Sequence, residues 1–106
     1  METFRISTAA LSDRYILSLT GEVDLAAQPQ LTTSGEAALA DPDRLTLVID
    51  LAQVTFIDST GLGTLIHLRN LAHASGKDLV LAATPPPVQR ILQLTALDDI
   101  FTHAGG

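Results

Sequence analysis

The chain has 106 residues, enough for one buried core without disulfides or metal, and although 46% of them are hydrophobic, no apolar run reaches the roughly 18 residues of a membrane span. Twelve acidic against six basic side chains leave a formal charge of −6, and Arg5, Arg14, Arg44, Arg69, Lys77 and Arg90 are scattered rather than clustered, so no nucleic-acid partner is expected. The absence of cysteine removes disulfides, thiolate metal ligands and cysteine nucleophiles. The first residues, Met1-Glu2-Thr3-Phe4-Arg5, hold no basic segment leading into an apolar one. The expected compartment is therefore the cytoplasm, without membrane attachment.

Phe4-Arg5-Ile6-Ser7-Thr8 and Tyr15-Ile16-Leu17-Ser18-Leu19-Thr20 are short, partly alternating runs with Leu11-Ser12-Asp13 between them, which predicts an antiparallel hairpin. Gly21-Glu22-Val23-Asp24 ends the second strand. Pro29, then Leu31, Ala38 and Leu39 at helical spacing, predict a first helix, weakened by Gly35. Leu45-Thr46-Leu47-Val48-Ile49-Asp50-Leu51 is almost continuously apolar, the pattern of a central strand covered on both faces.

Leu62, Leu65, Leu68 and Ala72 repeat every three or four residues, with His67 and Asn70 opposite and Ser75-Gly76 as a stop, so a second helix follows. Asp78-Leu79-Val80-Leu81-Ala82-Ala83 reads as another buried strand. Thr84 as N-cap and Pro85 in the first turn open a third helix carrying Val88, Ile91 and Leu92. Ile100-Phe101 forms a last edge strand or simply packs, and 103–106 is expected to be a loose tail. Strand–helix alternation after an opening hairpin predicts one α/β domain over residues 1–106, with a mixed, mostly parallel sheet and helices packed on it.

The stretch Val54-Thr55-Phe56-Ile57-Asp58-Ser59-Thr60-Gly61-Leu62-Gly63 joins a strand end to a helix start through two hydroxyls and two glycines. The first N–H groups of a helix lack internal partners and carry partial positive charge, so an anion on Ser59 or Thr60 is accommodated there. The structural alternative makes Ser59 only an N-cap. Asp24 and Asp58, both at predicted strand ends, favour a charge switch, because a phosphate dianion beside them would repel an acidic or apolar partner.

Gly21-Glu22-Val23-Asp24, Phe56-Ile57-Asp58-Ser59-Thr60-Gly61-Leu62-Gly63 and Pro86-Pro87-Val88-Gln89-Arg90-Ile91-Leu92, in this order, resemble the STAS domain of anti-sigma factor antagonists over nearly the whole chain. The resemblance implies a non-enzymatic regulator that, unphosphorylated, binds a kinase-type anti-sigma factor and frees a sigma factor. It also implies phosphorylation of Ser59, with Thr60 as the alternative acceptor, and reversal by a serine phosphatase. The docking surface expected from it comprises Asp24, Asp58, Ser59, Thr60, Gly61 and the exposed parts of Leu62 and Gly63. Two departures touch the third helix: Thr95-Ala96-Leu97 stands where the family has serine-glycine-leucine, and Pro85-Pro86-Pro87 is unusually proline-rich.

Other chemistries fit less well. The nucleophile-elbow pattern of serine hydrolases is absent, His67, His73 and His103 lack metal-ligand spacing, and Gly61-Leu62-Gly63 has Ile66 at the third glycine position of a dinucleotide fingerprint. No catalytic residue, metal or cofactor is therefore expected. An adaptor role in a stress-signalling scaffold or a transporter accessory complex is the alternative to the switch.

Overall fold

The computed structural model describes residues 3–104. Strands β1 (Arg5–Leu11) and β2 (Arg14–Val23) form the hairpin, joined by Ser12-Asp13 with Ser12 in the left-handed region at φ 55°. Helix α1 (Gln28–Leu39), strand β3 (Thr46–Ile57), helix α2 (Ser59–Ala74), strand β4 (Asp78–Ala82) and helix α3 (Pro86–Leu94) follow. A 3-10 turn (Asp98–Ile100) and a two-residue strand β5 (Thr102–His103) complete the order. The sheet order is β1-β2-β3-β4-β5, antiparallel between β1 and β2 and parallel elsewhere. This is the mixed α/β architecture expected from the sequence, with β3 central.

The core lies on one face of that sheet. Leu17, Leu19 and Val23 of β2, Leu47, Ile49 and Leu51 of β3, and Leu79 and Leu81 of β4 join Leu31, Ala38 and Leu39 of α1, Leu62, Leu65, Leu68 and Ala72 of α2, and Val88 and Leu92 of α3 in a single cluster. Up to Leu51 of β3 the strand residues that take part alternate, as the pleat requires. All three helices therefore cover the same side, as right-handed crossovers made in one direction along a sheet demand. The expectation that β3 is covered on both faces is corrected: Val48 is almost buried by its in-sheet neighbours, yet stands outside the core cluster.

The helix ends follow local chemistry. Gly76, at φ 72°, takes the left-handed position after α2, and the Lys77 N–H donates back to the Ala72 carbonyl at 2.8 Å, the wrapped ending that glycine favours. Helix α3 ends in the same way without a glycine: Ala96 sits at φ 60° and the Leu97 N–H donates to the Leu92 carbonyl at 2.9 Å. The replacement noted in the sequence thus leaves the helix ending intact but strained. Its start differs from expectation, because Pro85 holds the N-cap position and Pro86 the first turn, with no side-chain cap. The successive prolines hold φ near the value that extended and helical backbone share, so the chain enters the helix by a change in ψ alone and without a polar cap.

The chain end is also more ordered than a loose tail. Phe101 packs into the core, His103 pairs with Leu81, and the Ala104 N–H reaches the Leu81 carbonyl at 2.9 Å. Gly105 and Gly106 lie outside the described residues. No helix among the described residues is long and apolar enough to cross a membrane.

Candidate functional site

The rim of interest is built where β2 and β3 end together. Val23 and Ile57 are register partners, and the Asp58 N–H donates to the Val23 carbonyl at 3.2 Å. Asp24 and Asp58 consequently leave the sheet side by side, each followed by a helix start. Two irregularities in β3, between Asp50 and Gln53 and between Val54 and Phe56, add residues relative to β2 and bring the two ends level. Bulges of this kind re-aim a strand and often border functional sites. They also change the burial rhythm, so that Leu51, Val54 and Ile57 are the buried positions.

Asp58, not Ser59, caps α2. Its Oδ1 accepts the Gly61 N–H at 2.8 Å while its carbonyl accepts the Leu62 N–H at 2.9 Å. Capping by Asp58 moves Ser59 to the first position inside the helix, where its side chain is exposed. The reading of Ser59 as merely an N-cap is therefore incorrect: the strand pairing reaches Ile57, so the single extended residue before the helix is Asp58. Asp24 shapes the neighbouring turn, its Oδ1 accepting the Ala27 N–H at 3.2 Å just ahead of α1.

The remaining candidates divide by exposure. Thr60 is half-buried and Gly63 is exposed with open space around it, whereas Gly61 and Leu62 are buried. A Cβ on Gly61 would stand 2.2 Å from the Val23 carbonyl oxygen, so glycine is required there by the close approach of α2 to the end of β2. Leu62 belongs to the core cluster. The expectation that Leu62 offers exposed surface is thus corrected, because its side chain projects toward the sheet while Gly63 projects away.

Sequence reasoning missed a groove of about 430 Å³ between α1 and α2, lined by Gln28, Thr32, Thr60, Gly63, Thr64 and His67. Its far end meets a polar contact between the two helices, with His67 Nε2 3.3 Å from Glu36 Oε2. The signal was present as His67 on the polar face of α2, but nothing local reveals that α1 presents Gln28, Thr32 and Glu36 opposite it. A second hollow of about 340 Å³ adjoins Asp24, between Phe4, Glu22 and Gln30. Among the described residues, no cluster of His, Asp or Glu is arranged to hold a metal.

Comparison with known proteins gives a consistent picture. A family model described as Mlab, STAS domain matches residues 6–102. A STAS-domain containing protein of Pseudomonas aeruginosa is 29% identical, the match covering 80% of this chain and 82% of that protein. The anti-sigma F factor antagonist of Paenibacillus polymyxa is 27% identical over 81% of this chain and 74% of its own length. Among solved structures, an anti-sigma factor antagonist from Mycobacterium paratuberculosis superposes with a TM-score of 0.85 at 27% identity, covering 98% of this chain and 87% of that one. The Bacillus cell fate determinant SpoIIAA in its phosphorylated form shares the fold, with a TM-score of 0.72 at 19% identity and coverage of 97% and 92%.

Proposed function

Because this chain belongs to the STAS domain family, we propose that it is a non-enzymatic anti-sigma factor antagonist switched by phosphorylation of Ser59. Unphosphorylated, it binds a serine-kinase anti-sigma factor in the cytoplasm and so releases a sigma factor. Phosphorylated by that kinase, it lets go until a serine phosphatase restores the hydroxyl. The observation that carries this reading is the exposure of Ser59 in the first turn of α2, directly after the aspartate that caps it.

The local chemistry supports both halves of a switch. The positive end of α2 accommodates a phosphate on Ser59, so the modified chain stays folded. The same dianion stands beside Asp58 and near Asp24, creating a concentration of negative charge that an acidic or apolar partner surface cannot approach cheaply. Moving a complex from micromolar to millimolar affinity takes only about 4 kcal/mol. Docking on this reading uses Asp24, Asp58, Ser59, Thr60 and Gly63, with the groove between α1 and α2 beside them, while Gly61 and Leu62 hold the rim in shape from beneath.

The test mixes the protein with kinase-type anti-sigma factors and ATP, maps any phosphate by mass spectrometry, and measures binding of wild type, Ser59→Ala and Ser59→Asp. Phosphate on Ser59, binding by Ser59→Ala within about threefold of wild type, and at least roughly a hundredfold loss in Ser59→Asp are expected. A partner held equally by phosphorylated and unphosphorylated protein would show an adaptor instead of a switch.

A further inference from the structure

The two edges of the sheet are finished differently. On one side β5 is only two residues long, and so short an edge strand offers little to pair with. On the other, β1 runs for seven residues, Arg5–Leu11, paired with β2 in an unbroken register. It has no proline, no bulge and, after Arg5, no charged side chain, and all of its residues except half-buried Ile6 are exposed. The usual devices that keep an open edge from pairing are missing here.

The hairpin decides which backbone groups point outward. Ser12 and Asp13 form a two-residue loop closed by Leu11 and Arg14, and the pair that closes such a loop exchanges both of its hydrogen bonds. Alternation then assigns Leu11, Ala9, Ser7 and Arg5 to bonds with β2. Ile6, Thr8 and Ala10 direct their N–H and C=O groups away from the sheet.

We infer that this edge pairs with β1 of a second copy of the chain, antiparallel about a two-fold axis at Thr8, to make one continuous sheet. That register sets Ile6 against Ala10 of the second copy, Thr8 against its own counterpart, and Ala10 against Ile6, so every outward group finds a partner. An axis one residue either way leaves Ile6 or Ala10 opposite a residue outside the other copy's strand. The side chains agree with the central register: facing threonines are a favourable cross-strand pair, and Ser7 meets Ala9 without crowding. Arg5, the one charge on the strand, lies opposite Leu11 of the second copy, which is 54% exposed in the single chain and can cover the arginine stem. Beyond that leucine, Arg14 already has Asp13 at 3.8 Å, so no unpaired cation faces Arg5. From Ile6 to Leu11 the edge holds no charge that would select a foreign peptide, whereas the two-fold match selects the chain itself.

Seven residues a side is well under the ~20–30 of a standard interface, so the association is of the weak class. Strand β2 stands between β1 and β3, and the pairing leaves Ser59 at the head of α2 free.

Residue-resolved amide hydrogen exchange and sedimentation equilibrium of the full chain, from ~50 μM to ~1 mM, test the inference. Raising the concentration is expected to slow exchange at Ile6, Thr8 and Ala10 at least roughly fivefold and at Ser7, Ala9 and Leu11 by less than about twofold, while the mass moves toward twice that of the chain. Thr8→Lys and Thr8→Glu each set like charges together on the axis and are expected to stay single with unchanged circular dichroism, and an equimolar mixture of the two to pair again. A wild type that stays single up to ~1 mM, with no slowing at the three outward amides, overturns the proposal. So does a dimer indifferent to Thr8→Lys, since it is joined elsewhere. Slowing of those amides only when an anti-sigma factor is added overturns it too, because the edge then takes a foreign strand. None of these results turns on phosphorylation of Ser59, so the two readings fail independently.

Discussion

Ala96 holds a backbone conformation, φ 60°, that costs an L-residue with a Cβ about 1 kcal/mol more than it costs glycine. Ala96→Gly should therefore stabilise the chain by about 1 kcal/mol and raise Tm by roughly 4–8 °C in a thermal melt. The two glycines at the start of α2 make opposite predictions. Gly61→Ala forces a Cβ against the Val23 carbonyl oxygen and should destabilise by about 2–3 kcal/mol, read from urea denaturation. Gly63→Ala adds a methyl where nothing lies within 4 Å and should stabilise the free protein by about 0.5–1 kcal/mol. If Gly63 lies in the docking surface, the same methyl should weaken anti-sigma factor binding. Stability and binding would then move in opposite directions.

Among the elements, β3 and α2 differ most in how well they could be read from the sequence. The repeat of Leu62, Leu65, Leu68 and Ala72 marks α2, and Ser75-Gly76 marks its end, because each signal acts within one helical turn. The extension of β3 through Ile57 is harder to read: Ala52 and Thr55, which fall in its two irregular stretches, are ordinary residues rather than the glycines that often announce a bulge. For the same reason the sequence points to Ser59 as a cap where the structure uses Asp58. Both residue types cap well, and only the pairing of Val23 with Ile57 decides between them. The loop after α1 yields a pH prediction. Asp41 accepts the Asp43 N–H at 2.9 Å and an Arg44 N–H at 2.6 Å, and these bonds, the backbone one foremost, hold its carboxyl below the ordinary carboxylate range. A carboxylate whose pKa is depressed on folding contributes stability that is full above the unfolded pKa and fades as pH falls through the folded one. The Tm difference between wild type and Asp41→Ala should accordingly be largest from about pH 5 to 7 and shrink below about pH 4.

For the whole molecule, the order of elements and the central place of β3 followed from alternation of strand and helix patterns. The burial of one face only did not, since a run such as Leu47-Val48-Ile49 is equally apolar whether its outward residues meet helices or another chain. The location of the rim was legible because Asp58 and Ser59 are adjacent in sequence. The groove beside it was not, because Gln28 and Thr32 of α1 meet Gly63 and His67 only after the crossover is complete. One contact at the opposite end of the sheet from the rim gives a way to watch the molecule breathe. Lys77, the chain's single lysine, places its Nζ 2.7 Å from the Leu39 carbonyl and 2.6 Å from the Asp41 carbonyl, holding the end of α1 to the end of α2. While so engaged, the side chain is held against two carbonyl oxygens and withheld from a reagent in solution. The rate at which an acylating reagent modifies it therefore clocks the transient parting of the two helices, free of interference from any other side-chain amine.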